Sequence, residues 1–178
     1  MAGRKVSAIR IKDLRYANVL SAKPAYADVA TGFKAATKIE NSHQDTFTYE
    51  EDEPTVNSYK NDITGKTYRS DVEAGEKRIN FTIGQYDFDL KAALQGGTSG
   101  DTGKSYESGD STELRYKAFY ALTQDNVLIV FPRANIIASN SSTDNAIGIA
   151  VSAIPEEVAG VTKDEYWFDA EGLDLYGE

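Results

Sequence analysis

Residues Gly96–Ser105 read GGTSGDTGKS and end in Gly-Lys-Ser, the last three letters of a phosphate-binding loop. Such a loop places four residues between its two glycines, G-x-x-x-x-G-K-[ST], so that backbone N–H groups cradle the phosphates. Counting back from Gly103, the first position holds Thr98, and the interval from Gly97 encloses five residues. The setting is wrong as well. A P-loop follows a buried parallel strand and opens a helix whose N-terminus meets the anion. This stretch follows a helical pattern and runs into Tyr106-Glu107-Ser108-Gly109-Asp110, which opens no helix. It reads as a loop.

Other chemistry is thin. The sole histidine, His43, lies in a polar stretch, no G-x-S-x-G element accompanies it, and the chain has no cysteine. A nucleophile–histidine triad and a thiolate metal site are therefore not expected. Glu50-Glu51-Asp52-Glu53 is dense in carboxylates but lacks the spaced ligands and turn glycine of a calcium loop. It reads as a solvated or interface loop. Acids are abundant, yet nothing selects a glycosidase pair from among them. The formal charge of −9 and the pI near 4.7 oppose binding to nucleic acid or an anionic membrane. No enzyme, cofactor or metal site is expected.

The elements that would position these residues are mostly strands. Arg78–Ile83 alternates with period two, placing Ile79, Phe81 and Ile83 on one face. Ala146–Ile154 does the same with Ile147, Ile149, Val151 and Ala153. Gly148, Ala150 and Ser152 lie opposite, where another backbone or sheet can pack close. Val6–Lys12 predicts a strand with Ile9 and Ile11 inward and Arg10 and Lys12 outward. Thr46–Tyr49 and Lys66–Val72 are β-branched and aromatic enough for two more. Val127–Phe131 is apolar at every position, which predicts a central strand covered on both faces. Gln124-Asp125-Asn126 makes it a hairpin with Leu114–Thr123. Beyond Pro132, Ala134–Ala138 resumes as strand past a bulge.

One helix is expected over Asp87–Gln95, capped by Asp87 or Asp89 and ended by Gly96, with Leu90 and Leu94 as its apolar stripe. A second, over Ala27–Thr37, is weakened by Gly32. Loops or arms are expected over Asn41–Gly65, Gly97–Thr112 and Lys163–Glu178. The aromatics Tyr166, Trp167, Phe168 and Tyr176 of that last segment imply docking on another surface. The chain reads as a single domain over residues 1–178, mainly β, with two packed antiparallel sheets as a sandwich or barrel beside one short helix. The opening MAGRKVSAIRIKD has no apolar signal core and no segment spans a bilayer, so a soluble chain outside the general secretory route is expected.

Charge is divided between the ends. Residues 1–20 carry Arg4, Lys5, Arg10, Lys12 and Arg15 against Asp13. From Glu156 onward, Glu156, Glu157, Asp164, Glu165, Asp169, Glu171, Asp174 and Glu178 face Lys163. Either both ends are solvated, or one subunit's basic end meets another's acidic end.

The layout resembles the phage major tail tube proteins, a superfamily that includes type VI secretion tube proteins. The resemblance runs from roughly Val6 to Pro155. It begins with the basic opening Ile9-Arg10-Ile11-Lys12-Asp13-Leu14-Arg15, then a long polar loop at 41–65, then Tyr68-Arg69-Ser70-Asp71-Val72 and the strand Lys77–Ile83. The helix closing in Gly96-Gly97 follows, then the hairpin AFYALTQDNVLIVFPRANII, a loop rich in Ser and Asn, and AIGIAVSAIPEE. The loop 97–112 is longer than such a linker needs. The resemblance implies a virion tail protein made in the bacterial host cytoplasm, assembled as homo-oligomeric rings, hexameric in that family. These would stack into a tube and contact other tail proteins, with DNA as non-specific cargo in the lumen and no membrane partner. Candidate inter-subunit contacts are Arg10, Lys12, Arg15, Tyr49, Glu50, Glu51, Asp52, Glu53, Tyr166, Trp167 and Phe168. The aromatic content supports a different class, a β-sandwich carbohydrate-binding or adhesion module.

Overall fold

The computed structural model describes residues 5–110, 112–143, 145–161 and 163–177. In chain order its elements are β1 (Ile11–Ala17), α1 (Val29–Ala35), β2 (Thr37–Lys38), β3 (Asn41–Ser42), β4 (Thr48–Glu51), β5 (Thr55–Lys60), β6 (Thr67–Glu73) and β7 (Lys77–Gln85). Then come α2 (Phe88–Gln95), β8 (Thr98–Gly100), β9 (Ser105–Glu107), β10 (Arg115–Thr123), β11 (Val127–Thr143), β12 (Ala146–Pro155) and β13 (Tyr166–Asp169). The mainly β class holds.

A nine-stranded antiparallel sheet runs β2-β1-β10-β11-β12-β7-β3, with β13 beside β11 and β4 beside β7. Alternation in the sequence decides which residues face inward. Ile79, Phe81 and Ile83 of β7 and Ile149, Val151 and Ala153 of β12 are buried, while Ile147 projects past the end of the core. The sheet is strongly curled. Phe81 and Phe119 lie on β7 and β10, which a flat sheet would hold ~14 Å apart at the usual strand spacing. Their ring centroids are 5.8 Å apart. The interior of the curl is one core, closed at one side by Leu90 and Leu94 of α2. Asp87 caps that helix by accepting from the Leu90 N–H at 2.7 Å.

β10 and β11 are covered on their second face too, as the unbroken apolar run of Val127–Phe131 requires. Val29 and Phe33 of α1 and Ala170 and Leu175 of the C-terminal segment pack there on Tyr120, Leu122, Leu128 and Val130. Gly32, which weakens the helix in propensity terms, is demanded by packing: a Cβ at that position would meet the Tyr120 hydroxyl at 2.8 Å. Pro132 and Arg133 together oppose Ala118, the expected bulge, between the pairs Lys117↔Ala134 and Phe119↔Phe131.

Four expectations need correction. The first strand is Ile11–Ala17 rather than Val6–Lys12; Val6 and Ile9 are exposed, and the buried Asp13 and part-buried Arg15 form an ion pair on the face opposite Leu14 and Tyr16, against Phe33 of α1. The Ser/Asn-rich stretch after Ala138 is no loop, because β11 continues to Thr143 in register with β12. The segment from Lys163 on, expected as a loop or arm that docks, does dock, but as a strand: β13 pairs with Val127–Val130 of β11. Residues 41–65 are not one loop either. They hold β3, β4 and β5, and β5 pairs with β6 in a hairpin of its own. In the Gly-rich stretch, Gly103 and Lys104 lie in the turn of the small β8–β9 hairpin and Ser105 opens β9, with no helix behind it.

Candidate assembly surface

Three segments that the sequence singled out converge at the mouth of the curl. β4 brings Tyr49, β13 brings Trp167, and the segment before β1 brings Arg10, whose backbone adopts φ 45°. Together with Ala8, Ile11, Phe47, Thr123 and Ile129 they line a cleft of about 310 Å³. Tyr49 packs edge-on to Phe131 at 5.6 Å and lies 6.3 Å from the Trp167 ring. Strand alternation explains why only Trp167 of its trio is here: Tyr166 and Phe168 point to the other face of the sheet and pack beside the α1 core.

One carboxylate ties this corner together. Glu165 accepts from the Tyr49 hydroxyl at 2.5 Å, from the Trp167 indole at 3.1 Å and from Lys77 at 2.8 Å. Lys77 also pairs with Asp164 at 3.0 Å. Burial alone would raise the Glu165 carboxyl, but the bonds from Lys77, Tyr49 and Trp167 outweigh it and hold the group below its ordinary value. Burial, then the bond to the ionised Glu165, pushes the Tyr49 phenol up. Burial opposes the charge on Lys77, yet its two carboxylate partners raise it.

The remaining candidates are distributed differently. Arg15 is committed inside its own chain: it grips Asp13 at 3.0 Å, donates to the Phe33 carbonyl and lies 4.1 Å from the Phe33 ring centroid. Lys12 sits over the Tyr176 ring at 5.7 Å. The acidic end finds partners within the chain, Asp174 with Lys34 and Glu156 with Arg133, rather than among the N-terminal cations. Arg4 and Glu178 lie outside the described residues. Glu50, Glu51, Asp52 and Glu53 are exposed, and among the described residues none of the four forms an ion pair. His43 rests against Gly84, where a Cβ would come within 2.8 Å of the ring.

Of the most exposed element, the expected strand Lys66–Val72 is β6, while its partner β5 lies in the stretch expected as a loop. The β5–β6 hairpin has no buried residue and no part in either core. β4 and β5 follow one another along β7 and β6, so the hairpin is the outward continuation of a ribbon rooted in the sheet. Gly75 permits the crossing at its base, since a Cβ there would strike the Asp52 carbonyl. Val56 faces Val72 across the ladder, both open to solvent, and Arg69 covers Tyr59. The signal in the sequence was the pairing of Thr55–Lys60 with Thr67–Glu73 around Asn-Asp-Ile-Thr-Gly. Among the described residues no helix is long and apolar enough to cross a membrane, and no group of acidic and histidine side chains is placed to hold a metal ion. No protein-family model and no curated protein matches this chain.

Proposed function

We propose that this chain is a structural subunit that associates with copies of itself into stacked rings, forming the hollow tail tube of a phage or prophage through which DNA passes. The observation that carries the reading is the β5–β6 hairpin. A two-stranded hairpin is marginal in water on its own, and this one spends Val56, Val72, Tyr68 and Ile63 on solvent. Such an arm is accounted for by a surface that it meets in an assembly. The curled sheet adds support, because at its β1 margin the two-residue β2 pairs only with Arg15 and Tyr16 and leaves the start of β1 open to a ladder between subunits. The acidity of the chain suits a conduit that must not hold the passing duplex. Light scattering on the purified protein over a concentration series tests the reading: the mass rises in steps to ring-sized and larger species. A mass equal to one chain at every concentration contradicts it.

A second reading, a carbohydrate-binding module, is favoured by the half-exposed Trp167 beside Tyr49 in a cleft. Titration of Trp167 emission with a panel of glycans separates the two; saturable quenching by a glycan supports the module.

A further inference from the structure

Ile63 stands at the end of the β5–β6 hairpin and is 94% exposed. The turn that holds it is well formed. The Asn61 side chain accepts from the backbone N–H of Ile63 at 2.8 Å and of Thr64 at 3.2 Å, and Gly65 donates to the Asn61 carbonyl at 2.7 Å. An apolar side chain is thus fixed in water between Lys60 and Lys66. Among the described residues neither lysine has an ion-pair partner, and Asp62 is the only acid in the turn.

The same chain carries a complementary surface. The cleft beside β4 is floored by Ile11, Phe47, Tyr49, Ile129 and Trp167. Its volume of about 310 Å³ matches about ten waters at ~30 Å³ each. At one lip Glu51 shares the Tyr49 face of β4 by strand alternation, and Glu50, Asp52 and Glu53 around it are open to solvent. Arg10 is the charged residue of the lining itself. The tip does not reach this lip in its own chain. Glu53 lies two residues before the start of β5, and Lys60 at its far end stands roughly 17 Å further out at 3.3 Å per residue.

We propose that the hairpin tip of one copy docks in the Tyr49–Trp167 cleft of a second copy. Ile63 enters the cleft, and Lys60 and Lys66 lie against the Glu50–Glu53 run. The proposal rests on the self-assembly reading and names the surfaces that meet. Because tip and cleft are different surfaces, the contact is heterologous and propagates from copy to copy. Opposite charges at the lip fix its register.

Trp167 is the only tryptophan of the chain and is 48% exposed, so it reports directly on the cleft. Sedimentation velocity and tryptophan emission are measured on the same concentration series. Association is expected to bring a blue shift and weaker quenching by acrylamide. Ile63→Ser and the double variant Lys60→Glu/Lys66→Glu alter an exposed turn, so their unfolding curves match the parent. Each weakens association at least about tenfold, the scale of a central contact. Mixing Lys60→Glu/Lys66→Glu with Asp52→Lys/Glu53→Lys restores association. Association with unchanged Trp167 emission, or tip variants that associate like the parent, overturns the docking and leaves self-assembly standing. A chain that stays monomeric across the series overturns both.

Discussion

Tyr49 and Glu165, 116 positions apart in the chain, share a 2.5 Å hydrogen bond in which the phenol donates. The bond closes the curl of the sheet without a backbone ladder. β4 and the start of β13 face each other across the mouth, and side chains span the gap where strand pairing stops. Since Glu165 also receives Lys77 and Trp167, replacing it with glutamine removes the charge from three contacts at once. Glu165→Gln is expected to lower stability by about 1–2 kcal/mol, near the low end for charged hydrogen bonds because the site is partly wet. Urea unfolding followed by near-UV circular dichroism measures it, and an unchanged midpoint contradicts the latch.

The latch sets a pH window. The Glu165 carboxyl is held below its ordinary 4.5, so its contribution is full above that value and is lost as pH falls through the lowered one. Lys77 and Tyr49 are raised above 10.5 and 10.0; their contributions are full below those values and fade as pH climbs through the raised ones. Stability against urea is therefore expected to form a plateau between about pH 5 and 10 with loss on both sides. In Glu165→Gln the acid limb shrinks.

Gly32 and Tyr120 couple the α1 helix to the sheet. Gly32→Ala gains up to about 1 kcal/mol of helix propensity, yet it forces a Cβ to 2.8 Å from the hydroxyl of a tyrosine that is almost fully buried. Overpacking costs about 1–3 kcal/mol, so a net loss is expected. Tyr120→Phe removes the offending oxygen and leaves ordinary contacts of 3.5 Å and more. In that background Gly32→Ala is expected to stabilise. A double-mutant cycle by thermal unfolding reads the change of sign.

Truncation before Lys163 tests whether the C-terminal segment belongs to the fold. Removing β13 strips one edge of β11, and removing Ala170 and Leu175 opens the second core over Leu128 and Val130. The shortened chain is expected to unfold several degrees earlier and to bind a hydrophobic dye. A truncated chain as stable as the parent contradicts this packing.

What the sequence disclosed follows from burial. β7, β12, the doubly covered start of β11, the Pro132 bulge and the Asp87 cap were legible because a buried face imposes alternation and a cap imposes residue type. β1 was displaced by about five residues because Asp13 and Arg15 satisfy each other inside and so look like surface. β6 was legible over Lys66–Val72 from its β-branched and aromatic residues, but β5 left little pattern because the hairpin buries nothing within the chain. β13 was hidden by the acids that flank it, although its aromatics did predict docking. Of the candidate contacts, Arg10, Tyr49 and Trp167 were found together. Their grouping depends on the curl, which no local pattern encodes.

The central claim, that copies of this chain build a hollow tube, is tested most directly by negative-stain electron microscopy of the purified protein at high concentration. Rings of uniform diameter are expected and, as concentration rises, tubes with a stain-filled channel. A field of single-chain particles at every concentration contradicts it.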